Sequence, residues 1–153
     1  MKWDDACLRS CRANARWLQL CRQALERGPE TAEVSVYALL VTMLAKVEYE
    51  DTMDRMDQML RAGKLPADEK AAVDLCREKY GEAHGLMAGV TDQLFACDFS
   101  RDGQEYAGAH AAVGACRDGL RSFQGLPSLV AKVSTDHDLT TVSSLLGALI
   151  VGK

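Results

Sequence analysis

From about Thr31 to Ala62 the apolar residues Val36, Leu40, Met43, Leu44, Val47, Met53, Met56 and Leu60 recur at three- and four-residue spacing, until Gly63 and the KLP segment stop them. That spacing predicts one long helix with these side chains on its core stripe. Pro66 then opens a second long helix, where its missing N–H costs nothing in the first turn. This helix carries Ala72, Cys76, Tyr80, Ala83, Met87, Val90 and Leu94 inward and ends around CDFSRDG. A third covers about Gln104 to Gln124, rich in Ala and Gly, which suits close helix approach at a propensity cost of about 1 kcal/mol per glycine. After GLPSL a last helix follows, with Ser134 as its expected N-cap and Leu139, Val142, Leu146, Leu149 and Ile150 facing the core.

Ahead of these, residues 3 to 26 read as a shorter helical arm broken near Asn14 and closed by the turn signal Gly28-Pro29. No strand pattern, internal repeat or low-complexity segment is visible. The fold class expected is therefore all-α: an antiparallel up-down four-helix bundle preceded by an N-terminal helical arm. The composition agrees, with 48% hydrophobic residues and only three prolines in 153 residues. One domain over 1–153 is expected, with the arm at 1–28 and the bundle at 31–151.

A net charge of −4 without a basic patch argues against nucleic-acid binding. The longest apolar-looking run, VSVYALLVTMLAKV, is broken by Lys46 and too short to span a bilayer, so no membrane partner is expected. Six cysteines occur without a CxxC pair, which favours disulfides over zinc and places the folded protein in an oxidising compartment. MKWDDACLRSC lacks the apolar core of a signal peptide, so the chain reads as a mature secreted form.

Catalytic residues are not suggested. His84, His110 and His137 lie on different helices, and neither HExxH, GxSxG nor a phosphate-cradling loop occurs. A carboxylate metal site in a bundle wants Glu-x-x-His, which is absent, so no metal or cofactor is expected. Met53, Met56 and Met59 read as core filler, and Tyr80 and Tyr106 as core or boundary aromatics. The acidic run Glu48, Glu50, Asp51, Asp54 and Asp57 reads as a solvated helix face, with attraction of a basic protein as the alternative.

The cysteines are more specific. LCRQALERGPETA, LPADEKAAVDLCREKYGEAHGLM, CDFSRDGQEYAGAHAAVGACRDGLRSF and DLTTVSSLLGALIVG follow one another in order, with a closing CxD forty residues after Cys76. Jointly they resemble the plant pectin methylesterase inhibitor and invertase inhibitor family over nearly the whole chain. The resemblance implies a four-helix bundle with an N-terminal helical hairpin, one disulfide inside the hairpin and one, Cys76 to Cys116, between bundle helices. Closing that loop stabilises by roughly 4 kcal/mol in the chain-entropy model. The hairpin bond ends at Cys21. Family spacing favours Cys11 as its partner, with Cys7 the alternative, and leaves Cys7 and Cys97 to pair or stay free.

In this family acidic positions near the inter-helix disulfide engage basic residues of the target enzyme. The matching positions here are Glu78, Glu82 and Asp118, with Gly85 where an aspartate is common. Glu78 and Glu82 stand one turn apart, and the bridge is expected to bring Asp118 beside them in one acidic patch. Such a patch raises on-rate and specificity for a cationic partner, and carboxylate protonation makes binding pH-sensitive. Invertase inhibitors often carry Pro-Lys-Phe between the third and fourth bundle helices, where this chain has Phe99-Ser100-Arg101. The resemblance thus implies a monomeric, secreted, apoplastic inhibitor of a pectin methylesterase, with acid invertase as the alternative target. A family member without inhibition, serving as a small-molecule carrier or enzyme, would instead show a pocket between helices.

Overall fold

In a computed structural model the chain is described over residues 1–152, with side chains through Ile150. Six helices follow one another: α1 (Trp3–Cys11), α2 (Ala15–Leu25), α3 (Val34–Ala62), α4 (Ala67–Phe95), α5 (Asp102–Leu120) and α6 (Pro127–Gly152). Each of α3 to α6 packs on its neighbours in chain order and α6 closes the ring against α3, which is the up-down bundle expected. Gly63, at φ 66°, caps α3 in the left-handed conformation that a Cβ disfavours.

α1 and α2 form the hairpin. Asn14 breaks it where expected, its Oδ1 accepting from the Arg16 and Trp17 N–H groups and so starting α2. The hairpin lies on the bundle: Arg16 Nε and Trp17 Nε1 both donate to Asp138 of α6, at 2.6 and 3.2 Å. Tyr37 of α3 fastens its other end, the hydroxyl lying within hydrogen-bond reach of the Met1, Pro29 and Glu30 carbonyls.

Cys7, not Cys11, bonds to Cys21, with Cα atoms 5.7 Å apart. The reason is register. In an antiparallel hairpin turning at Asn14, residues equally far from the turn face each other, and Cys7 and Cys21, separated by 14, satisfy this. Cys11 sits too near the turn. It is a buried free thiol beside Ser10 Oγ, and burial pushes its pKa up. Cys76 and Cys116 are bonded as the resemblance implied, joining α4 to α5. Cys97 is free and exposed. It occupies the left-handed position after α4 at φ 55°, where its N–H donates to the Leu94 carbonyl and that of Asp98 to the Gln93 carbonyl.

The expected stripe of α4 is buried, from Cys76 through Tyr80, Ala83, Met87 and Val90 to Leu94. That of α3 is only partly the one expected: Met56 is buried and Leu40, Met53 and Leu60 pack against the core, but the rest of the stripe differs. Its inward face is Tyr37, Ala38, Val41, Thr42, Ala45, Tyr49, Thr52 and Met56, whereas Val36, Met43, Leu44 and Val47 face outward, Val47 at 57% exposure. Alanines let neighbouring helices approach closely, and Thr42, Tyr49 and Thr52 feed polar contacts that an aliphatic residue does not make. α6 also starts two turns earlier than Ser134, at Pro127, whose ring suits the first helical position. Gly108 permits close approach of α5 to α4, since a Cβ there would come within 2.8 Å of Leu86.

The core holds a polar cluster. Asp136 of α6, 1% exposed, accepts from Lys132 Nζ at 2.7 Å, from Tyr80 Oη at 2.7 Å and from Thr52 Oγ1. Burial pushes the Asp136 carboxyl above the usual range, against the pull of Lys132, Thr52 and Tyr80. Tyr49 packs edge-on against Tyr80, with ring centroids 5.5 Å apart, and its hydroxyl bonds to Thr140.

Candidate functional site

Glu78 and Glu82 are exposed, one turn apart on α4. Glu78 lies two residues past the bridged Cys76, a rotation of about 200°, which turns it to the outer surface of the bundle. Asp118 stands in the same relation to Cys116 and is likewise exposed. Because α4 and α5 run antiparallel, the two chains leave the bridge in opposite directions. At 1.5 Å per residue, Asp118 and Glu82 are about 12 Å apart along the bundle axis. The bridge therefore places the three carboxylates on adjacent helices without gathering them into one cluster.

Their surroundings differ as well. Glu82 lies 3.4 Å from Lys79 Nζ, an exposed pair of little energetic weight. Asp118 sits between two cations, Arg117 Nε at 3.3 Å and Arg121 at 3.7 Å. The free negative charge of this face thus belongs chiefly to Glu78 and Glu82. Part of the α3 acidic run continues it in paired form: Asp57 accepts from Arg77 of α4 at 2.9 Å, and Glu50 lies 2.8 Å from His84 Nε2.

Two histidines that the sequence places on different helices meet, their rings tilted by 39°. The rings of His110 and His137 lie 4.0 Å apart, and Arg117 donates to His137 Nδ1 at 3.1 Å. That bond leaves the ring hydrogen on Nε2 of the neutral imidazole. Burial first, then His110 and Arg117, holds His137 down to about 4. The sequence carries no signal for this pair, since it depends on the vertical register of α5 against α6. Among the described residues no group of three or more His, Cys, Asp or Glu side chains is arranged to hold a metal ion, and no helix is long and apolar enough to cross a membrane.

A disulfide-clamped helical hairpin lying on an up-down four-helix bundle is the architecture that this fold defines. It is the fold of pectin methylesterase inhibitors. A solved mutant form of a pectin methylesterase inhibitor from Arabidopsis superposes with a TM-score of 0.81 over 97% of each chain, at 15% identity. A second solved structure, of a pectin methylesterase inhibitor from Arabidopsis thaliana, gives 0.73 over 86% of this chain and 87% of the other, also at 15% identity. No protein-family model and no curated protein sequence matches the chain. The resemblance read from the cysteine pattern thus holds at the level of the whole fold.

Proposed function

We propose that this protein is a secreted inhibitor that docks on a plant pectin methylesterase through the outer α4–α5 surface and covers its substrate cleft, with no chemistry of its own. The observation that carries this reading is the likeness of fold, over 97% of both chains, to a protein described as an inhibitor of that enzyme. The surface chemistry supports it. Glu78, Glu82 and Asp118 spread over a distance that one standard interface of about 800 Å² per partner spans, and the exposed carboxylates of Glu78 and Glu82, the latter only weakly paired with Lys79, favour a partner with basic residues around its cleft. The two disulfides suit an oxidising, extracellular setting such as the cell wall.

The test is inhibition of methanol release from esterified pectin by several plant pectin methylesterases, with acid invertase as a parallel target. Stoichiometric suppression of the esterases alone supports the proposal. Suppression of invertase alone would redirect it to the alternative target, and no suppression of either between about pH 5 and 8, where carboxylates stay largely ionised, would overturn it.

A further inference from the structure

Four buried side-chain atoms among the described residues have no hydrogen-bond partner: Gln93 Oε1, Glu105 Oε2 and both carboxylate oxygens of Asp102. All are acceptors, so what this end of the bundle lacks is a donor. Asp102 is the extreme case. It is 5% exposed, and although it begins α5, neither oxygen accepts from the free N–H groups of the first turn.

Asp102 lines a cavity of about 150 Å³ between the start of α5 and the end of α6. Phe99 and the ring of Tyr106 form aromatic walls, Ser144 adds a hydroxyl, and the exposed Gly103 and Ala148 mark the mouth. The space is not a slack region that Tyr106 is free to fill. Its hydroxyl is tied to Thr42 at 2.7 Å, and the bare backbone of Gly147 lies so close that a Cβ there would meet the ring at 2.6 Å.

We propose that this cavity binds a small alkylammonium ion, its N–H groups donating to Asp102 and its carbon chain lying between Phe99 and Tyr106. A cavity of this volume accommodates about six non-hydrogen atoms, as apolar cavities that take up benzene do. Aromatic faces attract a cation as well as an alkyl chain, and a carboxylate supplies the counter-charge. A hard metal ion is a poorer fit, because it asks for six or more oxygen ligands and the walls offer mostly carbon.

The experiment is a titration of the full chain with n-butylammonium chloride at about pH 7.5, followed by amide chemical shifts and thermal unfolding. Saturable one-to-one shifts at Gly103, Tyr106, Ser144 and Gly147, with a rise in Tm, are expected. Asp102→Asn should weaken binding about ten-fold or more, the loss of a charge-assisted hydrogen bond. The variant should stay folded, because it replaces an unpartnered carboxylate by a neutral group. Burial, then Glu105 and Asp98, pushes Asp102 up to about 6, and the α6 residues facing it carry no charge. Binding should therefore weaken as the pH falls through that value. Equal binding by D102N, equal binding of 1-butanol, the same shifts from calcium chloride, or no saturation would each overturn the proposal.

Discussion

Lys132 donates to Asp136 across 2.7 Å inside the bundle, one turn apart on α6, and the same carboxylate receives Tyr80 from α4 and Thr52 from α3. Three helices thus meet on one side chain. Replacing Asp136 by Ala removes the close counter-charge of Lys132 and leaves the Tyr80 hydroxyl without an acceptor, and should cost about 3 kcal/mol, measured by denaturant unfolding. Lys132→Met should be milder at low pH than at high pH. Without its cation the carboxyl takes up a proton, which becomes harder as the pH rises. A Lys132→Met penalty independent of pH would contradict this account of the cluster.

His137 makes stability depend on acid. Its folded pKa of about 4 lies below the ordinary 6.5, so its contribution is fully present above about pH 6.5 and is lost as the pH falls toward 4. After allowance for solvent screening this amounts to about 1–2 kcal/mol. His137→Gln, which keeps an acceptor for Arg117, should flatten the fall in Tm over that window. A Tm profile as steep as that of the wild type would show that another group governs it.

The two free cysteines should separate cleanly by reactivity. Cys97 is exposed and Cys11 is buried with its thiol pKa raised, so a native thiol titration should find one fast group and a second only after unfolding. Cys97→Ser should remove the fast phase, while Cys11→Ala should leave it and leave the Cys7–Cys21 bond formed. Two fast thiols, or none, would reveal a different pairing in solution.

Charge reversal separates the three surface carboxylates. Glu78→Lys with Glu82→Lys should slow association with the target enzyme about ten-fold at low ionic strength, with the loss shrinking as salt is added. Asp118→Lys should do less, because Arg117 and Arg121 already offset its charge. Surface-binding kinetics with the purified partner provide the measurement. An Asp118 effect larger than that of the glutamate pair would shift the docking surface onto α5.

What could be read from residue order alone follows from what each feature depends on. Helix ends at Asn14, Gly63 and Pro66 are local events, set by capping chemistry within a few residues, and they appear where expected. The face of α3 is a tertiary matter. Counting only aliphatic side chains selected Val36, Met43, Leu44 and Val47, whereas the bundle buried Ala38, Thr42, Ala45 and Thr52, because small groups admit close packing and hydroxyls serve the Asp136 cluster. The Cys7–Cys21 pairing was available from hairpin register once the turn at Asn14 was granted, yet family spacing pointed to Cys11. Asp102 was passed over entirely. In the sequence it is one acid in SRDGQE, and only the meeting of α5 with α6 makes it a buried, unpartnered one.

The bridge between Cys76 and Cys116 spans 40 positions and encloses the whole α4–α5 connection. That stretch is consequently a covalent ring. A protease that nicks the loop beneath Phe99 would cut the backbone without releasing a fragment, and the two rods would part only when a reductant is added.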